Sequence, residues 1–354
     1  MKRRMSVTAV ALAAGAGLAA AVSLAVPGTA RASAHAGWNL IFQSRKSGTF
    51  QSIAAISKTN VWAGALLTQG TETVYGPYIW HFDGSTWKTV TIPGARMTSD
   101  TVQATSASDV WVFGRTANSK HLAASAAYRW DGRHWRKVSV PAYTFLQGTV
   151  VLGPSNVWAF GGSATLYGDV FHWDGRKWAS YNLNFFPQFV SASSARNIWL
   201  TGITWAGKKG KAAAYRWNGR RWLAVSTPHP VVDSGPSVTV ISRSNVWIGW
   251  ESATKTYGAH WNGHRWRVVT APGKVEANSY DIVPDGRGGY WFGPFADWTG
   301  RAWVRSGDIS PENSGGAFGD VARIPGTLSF LMAAGAINEG SHKQHPTIYR
   351  LDLR

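Results

Sequence analysis

One short unit recurs along this chain and constrains its fold more than any other feature. Its clearest copy is Phe171-His172-Trp173-Asp174-Gly175-Arg176-Lys177-Trp178, where aromatic residues flank an Asp-Gly pair. Asp-Gly between β-forming residues predicts a two-residue hairpin turn, because both central residues must accept positive φ. Further copies run from Phe82-Asp83-Gly84 to Trp87, Trp130-Asp131-Gly132 to Trp135, Trp217-Asn218-Gly219 to Trp222 and Trp261-Asn262-Gly263 to Trp266. A degenerate copy runs from Trp298-Thr299-Gly300 to Trp303.

A second motif alternates with the first. Asn60-Val61-Trp62, Asp109-Val110-Trp111, Asn156-Val157-Trp158, Asn197-Ile198-Trp199 and Asn245-Val246-Trp247 share one pattern, with Gly289-Tyr290-Trp291 as a variant. Successive tryptophans of this motif are 49, 47, 41, 48 and 44 residues apart. A short strand-like run precedes each, and a loop of variable length follows before the Asp-Gly unit. One repeat therefore reads strand, tight turn, strand, variable loop, strand, Asp-Gly turn, strand. Four short strands at this period predict a propeller blade.

The outer-strand tryptophan occurs seven times, at Trp38, Trp87, Trp135, Trp178, Trp222, Trp266 and Trp303. No blade precedes Trp38, while Asp320–Ile324, Leu328–Ala334 and Thr347–Leu353 supply three strands at the other end. The natural closure pairs the strand around Trp38–Phe42 with that triplet, removing the free edge in the ring direction. The expected fold is all-β: a seven-bladed β-propeller of four-stranded antiparallel blades, the last closed by the N-terminal strand. Most of the 21 tryptophans fall at repeat positions and are expected to pack blade against blade.

With Asn/Asp-Val-Trp followed by Trp-Asp-Gly-x-x-Trp, residues 37 to 354 resemble secreted bacterial seven-bladed propellers. These are similar in appearance to kelch repeats and to the propeller domain of galactose oxidase-like proteins. The double glycine of kelch survives only as Gly161-Gly162, and the Ser-x-Asp-x-Gly spacing of the sialidase Asp-box is missing. The copper site of galactose oxidase needs a tyrosine cross-linked to cysteine, and this chain contains no cysteine. The resemblance implies a fold and an extracellular setting rather than an activity.

The N-terminal segment supports export. Lys2, Arg3 and Arg4 precede an apolar run from Val7 to Val26, and the small-residue sites Ala30-Arg31-Ala32, Ala32-Ser33-Ala34 and Ala34-His35-Ala36 follow. Residues 1–36 read as a signal peptide that is removed, leaving 37–354 as a single domain with no membrane span. Zero cysteines exclude disulfides, thiolate metal sites and cysteine nucleophiles. The formal charge of +18 falls to 18 − 4 = +14 without Lys2, Arg3, Arg4 and Arg31. Such a surface attracts anionic wall polymers or acidic polysaccharide. Part of it also has a structural account, because Arg133, Lys137, Arg176, Lys177, Arg220, Arg221, Arg265 and Arg267 cluster in and after the Asp-Gly turns, where they guard outer edge strands.

Function is expected on the variable loops, since rigid scaffolds present chemistry there. Two constellations stand out. The position nine residues before each Asn/Asp-Val-Trp reads Gln51, Asp100, Gln147, Gln188 and Pro236, then Asn278 and Gly319 after the longer sixth turn. Amides and an acid around the channel mouth could hydrogen-bond sugar hydroxyls or hold a cation with its waters; the plainer alternative is that inner-strand ends are polar because they meet solvent in the channel. The second groups Trp205, Lys208, Lys209 and Lys211 in the fourth variable loop with Trp250 in the next unit, offering a stacking face and charge for an anionic sugar. Loop-face carboxylates at Asp100, Asp233, Glu251, Glu276 and Asp320 offer a hydrolase or lyase alternative. His260, His264, His342 and His345 read as surface residues. No metal or other cofactor and no specific nucleic-acid partner are expected. The leading expectation is a monomeric, non-catalytic binding propeller for a carbohydrate or anionic polymer at or outside the cell surface, with a protein-interaction platform as a further alternative.

Overall fold

A computed structural model of the chain describes residues 37–353 except 71, 117–123, 142–144, 163–167, 207–208, 229–235, 252–255, 271–281, 286–288, 293–295, 300–302, 306–317 and 338–342. Only the backbone is described at 145, 162, 205, 206, 209, 251, 256, 282, 291, 292, 296, 297, 303–305, 318 and 337. The expected signal segment lies outside these residues. No described helix is long and apolar enough to cross a membrane.

Among the described residues twenty-eight strands, β1 to β28 in chain order, form seven four-stranded antiparallel sheets. The first complete blade shows the pattern: β2 (Gly48–Ser57), β3 (Asn60–Gln69), β4 (Glu72–Phe82) and β5 (Trp87–Val90) pair in chain order. The innermost strands of the other blades are β6 (Thr101–Ser106), β10 (Phe145–Val151), β14 (Phe186–Ser194), β18 (Ser237–Ser242), β22 (Ile282–Pro284) and β26 (Phe318–Arg323). Each innermost strand packs beside the next, and β26 packs beside β2, so the ring is complete. The closing sheet has the order β1-β28-β27-β26, with β1 (Asn39–Gln43), β27 (Ser329–Ile337) and β28 (Gln344–Asp352). There Asn39 lies opposite Arg350, and Leu40 opposite Tyr349. The fold is a seven-bladed β-propeller sealed by its N-terminal strand.

Side chains latch neighbouring inner strands together. Ser52 Oγ accepts from Val102 N at 2.8 Å, and Ser191 Oγ accepts from Val240 N at 3.0 Å. The Gln103 amide bridges blades two and three, donating to Thr149 O and accepting from Val151 N, both at 2.7 Å. At the closing seam Asp320 Oδ2 accepts from Ile53 N at 3.3 Å. The apolar core is divided into layers between blades. Trp62 and Ile79 of the first blade pack with Val102, Val110 and Val112 of the second, and Trp158 and Phe160 of the third pack with Ile198 and Leu200 of the fourth. Each layer buries large aromatic area, which is the main favourable term in a chain without disulfides.

The Asp-Gly units differ from the expected two-residue turn. Trp130 pairs directly with Trp135, and Trp173 with Trp178, so four residues make the connection. Positive φ falls on the glycine alone, at 94° for Gly132 and 96° for Gly175, and not on the aspartate before it. The aspartate instead precedes the bend. Asp174 Oδ1 accepts from the N–H groups of Arg176 and Lys177, both at 2.8 Å, and Asn218 and Asn262 do the same in their blades. The side chain replaces a turn carbonyl, as in an Asx-turn. The flanking tryptophans meet across the hairpin, 5.6 Å apart at Trp173–Trp178.

Candidate binding surfaces

The inner tryptophans are held by a side-chain triad that recurs around the ring. Trp62 Nε1 donates to Asn60 Oδ1 at 2.9 Å, and Trp158 Nε1 donates to Asn156 Oδ1 at 3.0 Å. His81 and His172 sit directly across the strand pair from these tryptophans, with Nε2 3.0 and 3.1 Å from the same oxygens. Each imidazole stacks on its tryptophan, with centroids 4.2 and 4.3 Å apart. His260 likewise stacks on Trp247 and has its Nε2 3.0 Å from Asn245 Oδ1, but there the Tyr290 hydroxyl is the second donor to that oxygen. Burial holds all three imidazoles below their ordinary pKa, so they are neutral at pH 7. His260, expected as a surface residue, is therefore part of this stack. The clue in the sequence was a His or Arg immediately before each aromatic-Asp/Asn-Gly.

Where an aspartate replaces the asparagine, an arginine replaces the histidine. Asp109 is buried, accepts from Trp111 Nε1 at 3.0 Å, and pairs with Arg129 Nε at 2.6 Å. In the fourth blade the motif residue is Asn197 and Arg216 lies opposite Trp199, with its Nε buried without a hydrogen-bond partner. Burial, then the nearby Arg243 charge, lowers the Arg216 pKa.

The channel-mouth residues share a backbone feature that the sequence did not show. Gln51, Gln147 and Gln188 each lie at a break of register on an innermost strand: between Phe50 and Ser52, Leu146 and Gly148, and Pro187 and Phe189. Each is thus the extra residue of a β-bulge, a device that re-aims side chains at sheet ends. Gln51 and Gln188 are half-buried and Gln147 is exposed. Asp100 differs, because its carboxylate pairs with Arg115 Nε at 2.8 Å. That hydrogen bond raises the arginine's pKa. Pro236 is buried, and Asn278 lies outside the described residues.

The tryptophan–lysine constellation is rearranged. Trp250 is 8% exposed and stacks on Tyr257 at 5.4 Å within the core between blades four and five, so its face is not offered to a ligand. The segment expected as a loop is a long hairpin: β15 (Asn197–Ala206) pairs with β16 (Lys209–Trp217) out to Ala206 opposite Lys209. Trp205 and Lys209 are thus strand residues whose side chains are not described; Lys208 lies outside the described residues, and Lys211 is exposed on β16. Among the acid candidates, Asp100 and Asp320 carry the contacts above, while Asp233, Glu276 and the side chain of Glu251 are not described.

The face carrying the Asp-Gly turns is more elaborate than its uniform sequence implies. The two residues after the turn glycine are Arg133-His134, Arg176-Lys177, Arg220-Arg221 and His264-Arg265 in blades two to five, and all are exposed. Among the described residues the ion pairs are Lys88–Asp83, Arg115–Asp100, Arg129–Asp109, Arg136–Asp131 and Arg350–Asp352, and none uses a turn cation. The same face holds a cavity of about 430 Å³ between the fifth and sixth blades.

Neither a protein-family model nor a curated protein sequence matches the chain. Solved structures do. YCF48 bound to D1 peptide is 12% identical with a TM-score of 0.56, over 92% of this chain and 100% of that one. YCF48 from Cyanidioschyzon merolae is 12% identical with a TM-score of 0.58, over 90% and 99%. A protein of unknown function from Dyadobacter fermentans is 11% identical with a TM-score of 0.51, over 90% and 99%. The likeness is one of fold.

Proposed function

We propose that this protein is a secreted, non-catalytic binding propeller whose ligand is a carbohydrate or anionic polymer at or outside the cell surface. The observation that carries this reading is the arc of exposed cations at the turns. Four successive blades present them in the same position, fixed by the same side-chain-capped bend, and none forms an ion pair among the described residues. A linear polyanion meets repeated charge with repeated charge, and a net +14 draws it in. The signal-like N-terminus supports an extracellular setting.

The test is retention of the purified protein on immobilised acidic and neutral polysaccharides at low and high salt. Retention on the acidic polymer alone is expected, with loss by about 0.5 M salt as the screening length shrinks to a few ångströms. Combined Arg176→Ser, Lys177→Ser, Arg220→Ser and Arg221→Ser substitution is expected to release it at lower salt. Equal retention on neutral polymer, or none on either, would overturn the charge-based reading. A second reading places neutral sugar hydroxyls on Gln51, Gln147 and Gln188, favoured by the bulge that the three share. Salt-insensitive binding lost in Gln51→Ala and Gln147→Ala would support it.

A further inference from the structure

The variant motif Gly289-Tyr290-Trp291 gives the fifth seam a different construction from its neighbours. Elsewhere the position before the motif tryptophan is a fully buried aliphatic side chain, as at Val61, Val110, Val157, Ile198 and Val246. The inner tryptophan of one blade is then met by the hairpin tryptophans of the next. Trp158 lies 5.1 Å from Trp217 and 5.4 Å from Trp222, and Trp199 lies 6.1 Å from Trp261 and 5.9 Å from Trp266. At the fifth seam Tyr290 takes the aliphatic position. Its ring sits 4.4 Å from Trp247, and its hydroxyl donates to Asn245 Oδ1 at 2.9 Å.

The preceding residue is glycine for a local reason. A Cβ at Gly289 would stand 2.3 Å from Trp298 O and 2.7 Å from Asp285 Oδ2. Asp285 is buried and accepts from Gly289 N at 2.8 Å, closing this longer turn. No asparagine side chain can occupy that place, and on the opposite face Tyr290 borders a cavity of about 430 Å³ between the fifth and sixth blades. That volume falls within the range of small-ligand pockets.

We infer that this cleft between blades five and six is a binding subsite for a carboxylate-bearing sugar ring. The inference rests on the carbohydrate reading above for its class of ligand and adds a defined place for one residue of it. Of the aromatic side chains lining the cleft, Trp247 and Tyr290 are buried and packed on each other as its floor, and the half-buried Trp298 offers apolar surface to the C–H face of a pyranose. Asn245 and two serines of the adjoining turn supply amide and hydroxyl groups for ring hydroxyls. The Asn245 oxygen is already held by His260 and Tyr290, which fixes the orientation of its amide. Arg267 also lines the cleft, on the exposed outer strand, and among the described residues no acidic one does. Such a guanidinium selects a carboxylate through charge-assisted hydrogen bonds.

Calorimetric titration of the full protein with a short oligouronate and with its neutral hexose counterpart tests the subsite. Saturable binding of the oligouronate is expected, weaker by about tenfold or more in Arg267→Gln, since hydrogen bonds to charged groups are the strong ones. Tyr290→Val, which restores the residue type of the other blades, is expected to abolish it while leaving one cooperative thermal transition. Equal affinity for the neutral oligomer, or unchanged oligouronate binding in both variants, would overturn the subsite. Retention on acidic polymer without any response to the oligouronate would also overturn it while leaving the polymer reading standing. Silence in both experiments would remove both.

Discussion

At Asn197 the repeating triad lacks the charge that its partner needs. Asp109 and Asn197 occupy equivalent positions, and Arg129 and Arg216 lie equivalently opposite Trp111 and Trp199. Asp109 gives Arg129 a carboxylate and accepts from Thr105 Oγ1, whereas Asn197 donates to Ser193 Oγ at 2.8 Å. The serine stands four residues before Asn197, where Thr105 stands before Asp109, so a carboxylate there would find a hydroxyl donor ready. Asn197→Asp is therefore expected to stabilise the fold by about 1 kcal/mol, because it partners a buried guanidinium nitrogen. The reverse change, Asp109→Asn, is expected to cost about 2 kcal/mol by leaving Arg129 uncompensated. Denaturant midpoints at constant slope measure both, and a neutral or lower midpoint for Asn197→Asp would contradict the account.

The hairpin element shows how a small shift changes the meaning of a motif. Asp-Gly read as the central pair of a turn gives both residues positive φ, yet the aspartate here caps the bend and only the glycine adopts it. Gly175 also sits against the neighbouring turn: a Cβ on it would lie 2.8 Å from Ser155 Cβ at φ 96°. Gly175→Ala should therefore cost about 1–2 kcal/mol through strain and the close approach together. Asp174→Ala loses two N–H contacts that water can replace, so a smaller loss than that of the glycine variant is expected. Thermal melts of the two variants rank these costs, and equal losses would indicate that the glycine is replaceable.

Across the whole molecule, stability depends on closing the ring and on three neutral histidines. Deleting residues 39–43 exposes the hydrogen-bonding edge of β28 and opens the closing sheet, so loss of the cooperative transition or self-association is expected; chromatography with calorimetry decides. The pH response follows from burial. His81, His172 and His260 have lowered pKa values in the fold, so the unfolded chain binds protons first as pH falls below the ordinary 6.5. Stability is full above that value and declines from about pH 6.5 down to the lower folded values. Capped carboxylates such as Asp131 and Asp174, whose pKa values are lowered by Arg136 and by backbone N–H groups respectively, act only below the carboxylate range. His172→Gln is expected to flatten the melting temperature between pH 7 and 5, and an unchanged slope would remove the histidines from this account.

Blade identity, blade number and the closing strand were legible because each depends on local spacing. Alternation and turn residues define four strands within one repeat, and an unpaired tryptophan at one end answers a missing strand at the other. The candidate sites were less legible because they depend on what lies across a seam from residues a whole repeat away. Trp250 and Trp158 are both apolar rings on second strands, and only packing against Tyr257 shows that Trp250 is core. Asp100 looks free until Arg115 is placed beside it, and the glutamines share a bulge that side-chain types do not encode. By itself the sequence determined that this chain closes into a seven-bladed ring, because strand period and turn chemistry are short-range. Only the tertiary structure decided that the turn cations stay outside the described ion pairs and that Tyr290 reaches Trp247 and Asn245 across the fifth seam, because both follow from contacts across strands and between blades.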